Sequence, residues 1–203
     1  MKLSRRLLPV LLFLALFENA RSQTLNPQLE NALNQTLENM RSSLGVKSLG
    51  AALQFPDDVV WAGANGVSSV IPLDTVTSDY TYAIGSITKT MTAACILQLA
   101  DAGLLSINDS LSKWQLDTFP FVNPNITVRH LLRHQSGLYD VITDQQYGFD
   151  TQINQDSAWE IADVLSNYLH APLAQPGSGF SYCNTNYLLL GLIIKTVTGH
   201  PFY

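Results

Sequence analysis

Ser86 and Lys89 stand three residues apart in Ile84-Gly85-Ser86-Ile87-Thr88-Lys89-Thr90, at the start of a helix-favouring run, Ser86 to Ala102, that Gly103 stops. On a helix, residues at i and i+3 have Cβ atoms roughly 5–6 Å apart, so the Lys89 nitrogen can reach the Ser86 oxygen. The first turn adds unsatisfied backbone N–H groups and the positive end of the helix dipole, both of which stabilise negative charge. Ser86 is therefore a candidate nucleophile. The spacing alone is weak evidence, because Ser110-Leu111-Ser112-Lys113 repeats it. That copy, beside Asp109 and close to Pro120, reads as a cap or turn.

A second group with chemical potential is Tyr182-Cys183-Asn184, the only Tyr-x-Asn in the chain. It follows the turn-rich stretch Pro172 to Gly179 and precedes an apolar helix, so Asn184 taken by itself is a helix cap and Tyr182 a packing residue. His130 and His134 lie four apart on an expected helix. They lack the acidic neighbour of a His-Glu-x-x-His zinc site, and no metal is expected. Gly177-Ser178-Gly179 is a turn, without the strand-loop-helix context of a phosphate cradle.

The elements that must position these groups can be read in order. Asn26 caps and Pro27 opens a helix carrying Leu29, Leu33, Leu37, Met40 and Leu44 on one face, and Gly45 ends it. Val46 to Phe55 and Val59 to Ala64, separated by Pro56-Asp57-Asp58, read as a β-hairpin, and a loop with Pro72 leads on to Ser86. From Gly103 to Ser181 the pattern is helix and loop: a short helix from Ile126 to His134, and a longer one from Ser157 to Leu169 opened by a Ser157-x-x-Glu160 capping box. Thr185 to Thr198, with Leu188-Leu189-Leu190 and Leu192-Ile193-Ile194, is apolar on every side and so a buried helix. Cys95 falls about 180° around the helix from Ser86 and is expected to be buried, Cys183 to lie near the site, and the two not to pair.

The N-terminus carries Lys2, Arg5 and Arg6, an apolar run from Leu7 to Phe17, and small residues at Ala20 and Ser22. This pattern implies a cleaved secretory signal over residues 1–22, with the rest of the chain exported to an extracellular or periplasmic space and no membrane anchor after cleavage. Removing those residues takes four of the 11 basic and one of the 16 acidic side chains, leaving 7 and 15, a net charge near −8. Such a balance argues against nucleic acid as a partner. Sequons at Asn34, Asn108 and Asn125 would accept glycans in a eukaryotic host.

Several ordered motifs together resemble one family. They are Gly85-Ser86-Ile87-Thr88-Lys89-Thr90, then Ala102-Gly103-Leu104-Leu105-Ser106-Ile107-Asn108-Asp109, then Ile126 to Leu138 with its His134-Gln135-Ser136-Gly137, and last Tyr182-Cys183-Asn184 running into Tyr187-x-x-x-Gly191. In this order they are similar to the serine β-lactamase and D-Ala-D-Ala carboxypeptidase superfamily, in the branch of class C β-lactamases, D-aminopeptidases and related esterases. The similarity covers roughly residues 27–203. It implies an α/β (α+β) fold, with an antiparallel sheet flanked by helices and an inserted helical region at about residues 104–181. It implies Ser86 as the acylating nucleophile, Lys89 as its partner amine, Tyr182 as general base and acid, and Asn184 as the residue positioning Lys89 and the substrate amide. No cofactor or metal is implied. The substrate would be a β-lactam, a D-amino-acid peptide or an ester.

Two departures from the family pattern matter. Cys183 stands in the middle of Tyr-x-Asn, where Ser or Ala is usual, and the late Lys- or His-led Thr/Ser-Gly motif is missing. The expectation is a C-terminally truncated, incomplete domain over residues 23–203. Its hairpin would lack partner strands, and its Thr185–Thr198 helix would lose covering partners. The hydrolase activity is then expected of a complete version, with the 203-residue chain by itself inactive; the alternative reading is a catalytically inactive fragment or binding remnant.

Overall fold

The computed structural model describes residues 25–200; the expected signal at residues 1–22 lies outside them. The chain divides into two units between Ala83 and Ile84.

The first unit is a helix packed on a small sheet. Helix α1 (Pro27–Leu44) begins where the Asn26 side chain accepts from the Gln28 N–H and ends at Gly45, in the left-handed conformation, as its caps predict. Strands β1 (Ser48–Gln54) and β2 (Val60–Val70) pair antiparallel from Ser48 opposite Gly66 to Gln54 opposite Val60. A third strand, β3 (Leu73–Thr75), extends the expected hairpin by folding back on β2. Three residues after Ile71-Pro72 are too short to show a pattern of their own. Arg41 Nε donates to Asn65 Oδ1 at 2.6 Å, tying α1 to β2. Gly66, at φ +106°, is required: a Cβ there would meet the Lys47 carbonyl oxygen at 2.1 Å. Of the expected apolar face of α1, Leu37 is buried, whereas Leu29, Met40 and Leu44 are exposed.

The second unit is helical. A 3-10 turn (Gly85–Ile87) leads into α2 (Thr88–Asp101), followed by α3 (Val128–Leu132), α4 (Gln145–Ile153), α5 (Ile161–Tyr168) and α6 (Thr185–Thr198). Helix α6 is the centre of this unit. Its Leu189, Leu190 and Ile193 have no exposed surface, and it packs against α2, α3 and α5. Burying each such side chain contributes ~1.5–3 kcal/mol. The expectation that this helix would be left with apolar side chains in water is therefore wrong; Ile96, Leu131 and Leu165 lie in the same core cluster.

Three local readings need correction. Ser86 precedes the α-helix, in the 3-10 turn. Helix α5 begins at Ile161 rather than Ser157: the Ser157 N–H donates to the Asn154 carbonyl in a turn, and Trp159 packs edge-on to Tyr147 with ring centroids 5.8 Å apart. Helix α4, capped by Asp144 through the Tyr147 N–H, was not foreseen; Gly148 and the lack of apolar period hide it. Among the described residues no helix is long and apolar enough to cross a membrane.

Cys95, expected to be buried, is exposed, while Cys183 lies beside the site but buried; both are free thiols. The inward line of α2 runs through Thr92 and Ile96, and Cys95 falls beside it. Burial also pushes the Cys183 thiol pKa up. A thiol reagent should therefore titrate one cysteine in the native protein and two after denaturation without reductant. Two equally fast thiols, or none after denaturation, would contradict this placement.

Candidate active site

The second unit alone brings Ser86, Lys89, Tyr182 and Asn184 together. Gly85, at φ +52°, turns the chain so that Ser86 stands ahead of α2 with its side chain exposed. Tyr182 Oη lies 2.8 Å from Ser86 Oγ, and Lys89 Nζ donates to the same oxygen at 3.3 Å. Lys89 Nζ also donates to Asn184 Oδ1 at 2.7 Å. Asn184 opens α6 but makes no side-chain cap bond, so its amide belongs to this cluster rather than to the helix end. The ammonium sits 5.1 Å from the Tyr182 ring centroid and 5.5 Å from that of Tyr187, within the range of cation–π attraction.

The electrostatics follow from these neighbours. Lys89 first, and then the Ser86 hydroxyl, hold the Tyr182 phenol below its usual range near 10, since both favour the phenolate. A hydroxyl pair at 2.8 Å can pass its proton either way, because each oxygen both donates and accepts. The cluster can thus draw the proton from Ser86 as its oxygen attacks a carbonyl. Beside Lys89 is a pocket of about 140 Å³ bordered by Thr88, Thr92, Ile142 and Leu188. Sites for drug-sized ligands measure ~300–1,000 Å³, so this pocket by itself is too small to enclose a substrate of that size.

What holds Tyr182 and Asn184 in place is a ladder of hydrogen bonds between residues 181–186 and residues 134–141. Ser181 N–H donates to the His134 carbonyl at 2.9 Å, and Cys183 N–H to His134 Nδ1 at 3.1 Å. Asn184 Nδ2 donates to Asp140 Oδ2 at 2.9 Å. The buried Thr185 hydroxyl accepts from the Val141 N–H at 3.0 Å and donates to the Tyr139 carbonyl at 2.7 Å. Ser136 Oγ donates to Asn186 Oδ1 at 2.6 Å. His134 also stacks on Tyr182, with centroids 4.5 Å apart and planes at 26°. Burial, and then the Lys89 charge, lower the His134 pKa, so its Nδ1 stays an acceptor at neutral pH.

His134, Asp140, Thr185 and Tyr187 are the residues that sequence reasoning missed as parts of the site. His134 and His130 were weighed as metal ligands, but they have separate duties: His130 Nδ1 accepts from the Thr127 N–H, and the His130 N–H returns a bond to Thr127 Oγ1, a capping box with His in the acidic position. Among the described residues no cluster of potential metal ligands occurs. The second Ser-x-x-Lys is the turn it was read to be. Lys113 pairs with Asp109 at 2.6 Å, and Ser110 Oγ meets Ser112 Oγ.

The combination of a small antiparallel sheet unit and a helical unit bearing Ser86-x-x-Lys89 and Tyr182-x-Asn184 is that of a β-lactamase/transpeptidase-like fold. The sequence pattern of the Beta-lactamase family matches residues 33–203, and the chain belongs to that family, within a superfamily of serine hydrolases. Penicillin-binding protein 4* of Bacillus subtilis is 30% identical over 148 residues, which are 71% of this chain and 31% of that protein. A D-stereospecific amidohydrolase from Streptomyces sp. superposes with a TM-score of 0.69 at 29% identity, over 82% of this chain and 50% of that one. A D-amino acid amidase from Ochrobactrum anthropi SV3 superposes with a TM-score of 0.70 at 26% identity, over 85% of this chain and 46% of that one. The chain therefore spans a third to a half of the length of these relatives.

Proposed function

We propose that Ser86 is the nucleophile of a serine hydrolase that works through an acyl-enzyme on a β-lactam, D-amino-acid amide or peptide, or ester. The observation that carries this reading is the convergence of Tyr182 Oη and Lys89 Nζ on Ser86 Oγ, at 2.8 and 3.3 Å. In the first step the Ser86 O–H bond breaks and its proton passes to the Tyr182 phenolate. The Oγ–carbonyl bond then forms, with the Ser86 backbone N–H as one donor to the oxyanion. Tyr182 returns the proton to the leaving amine or alkoxide as the scissile bond breaks. Water, activated by the same pair, then releases the acid and frees Ser86. Asn184 holds Lys89 in register, and the chemistry needs no cofactor. The names of the similar amidohydrolase and amidase favour D-configured substrates among the three classes. The N-terminal residues 1–22 support export to an extracellular or periplasmic space.

Mass spectrometry after incubation with a slowly released acylating probe, a β-lactam and a fluorophosphonate in parallel, should place one adduct on the peptide containing Ser86. Ser86→Ala should abolish it. An adduct on Ser110, or labelling unchanged in Ser86→Ala, would refute the assignment. A chain that takes no adduct from either probe would favour the binding-remnant reading.

A further inference from the structure

The one carboxylate in the ladder beside the nucleophile has no cationic partner. Asp140 Oδ2 accepts from Asn184 Nδ2 at 2.9 Å, and its Oδ1 accepts only a long 3.3 Å bond from the Ile142 N–H. Ion pairs among the described residues join Arg41 to Glu38, Lys113 to Asp109 and His170 to Asp144, and none involves Asp140. It is partly exposed and sits one amide beyond Lys89. Its charge is felt at the Tyr182 phenol, where it opposes ionisation. The placement is rigid, because the neighbouring Tyr139 carbonyl and Val141 N–H are both bound to the Thr185 hydroxyl.

This arrangement changes what the site offers to the group next to a scissile carbonyl. The Asn184 amide has its oxygen on Lys89 and one N–H on Asp140. An N-acyl carbonyl brought to that corner would find the second Asn184 N–H as a neutral donor, but the Asp140 carboxylate beside it would set acceptor against acceptor. A free ammonium would meet a carboxylate with lone pairs to spare and no competing cation, a charge-assisted hydrogen bond of the stronger kind. Building on the hydrolase reading above, we propose that Asp140 is a specificity-determining residue that selects substrates with a free α-ammonium beside the scissile carbonyl, and disfavours N-acylated ones.

The test separates binding from chemistry. D-alanine p-nitroanilide and its N-acetyl derivative are titrated calorimetrically into Ser86→Ala, in which no acylation can occur. The free amine should bind about 10-fold more tightly or better, the scale of one hydrogen bond to a charged group. Adding Asp140→Asn, which keeps shape and one acceptor oxygen for either the Asn184 or the Ile142 N–H, should reduce the preference to less than about 3-fold on the same scale. Asp140→Ser, which also keeps an acceptor there, should do likewise if the Asn variant misfolds. Equal or tighter binding of the N-acetyl compound, a preference that survives both variants, or binding of neither compound overturns the proposal. The Ser86 adduct is read separately on the wild-type chain. An adduct without an amine preference removes Asp140 from specificity and leaves the nucleophile standing; an amine preference without an adduct does the reverse.

Discussion

Lys89→Met and Tyr182→Phe should each lower the rate of Ser86 acylation by about 10²–10⁴-fold, the usual contribution of a general acid–base group, while leaving the melting transition in place. Tyr182 is exposed and Lys89 half-buried, and Phe keeps the ring that stacks on His134, so folding and chemistry should separate here. The pH profile adds a second reading. Lys89 is the largest influence lowering the Tyr182 pKa, so acylation should rise with pH through a midpoint below the ordinary phenol value near 10. In Lys89→Met that midpoint should move up, because the group favouring the phenolate is gone. Stopped-flow acylation across pH, paired with thermal melts, decides the matter. A loss of rate that tracks a collapsed transition, or a midpoint unmoved in Lys89→Met, would remove these two residues from the chemistry.

Thr185→Val should destabilise the protein although it conserves volume. The hydroxyl is fully buried, and removing it leaves the Val141 N–H without its partner and the Tyr139 carbonyl with only the weak Cys183 thiol contact at 3.6 Å. Each unsatisfied group costs about 1–3 kcal/mol, and each kcal/mol lowers the melting temperature by roughly 2–4 °C in a chain of this size. Thr185→Ser, which keeps the oxygen and loses a methyl, should recover most of the loss. An unchanged melt for Thr185→Val would mean that residues 139–141 find other partners and that the ladder is not what fixes the site.

Legibility in the sequence follows how local each determinant is. Helices α1 and α6 were readable to the residue because Asn26, Pro27, Gly45 and Gly199 punctuate them and their apolar patterns are continuous. Ser86 and Lys89 were readable because three-residue spacing is enough to make them meet. Tyr182 and Asn184 needed the family resemblance, since nothing in the chain between says that a segment 96 residues away returns to Ser86. Asp140 and His134 were invisible as site residues for a related reason. Their partners, Asn184 and Cys183, lie 44 and 49 residues on, and the left-handed backbone at His134 has no local signature in a histidine. Cys95 went astray because angle around the helix axis was measured from Ser86, which lies in the preceding turn.

The buried Cys183 between two outward-facing site residues has a consequence for how the motif carries information. Its thiol is turned to the Leu138 and Tyr139 carbonyls, at 3.6 Å from each oxygen, and only 2% of its surface is exposed. The unspecified letter of Tyr-x-Asn is therefore written by the interior: it is a constraint on volume and on two carbonyl acceptors, and a substrate never reads it. A substitution at that letter in this chain should act through how the scaffold is filled and not through which bond is cut.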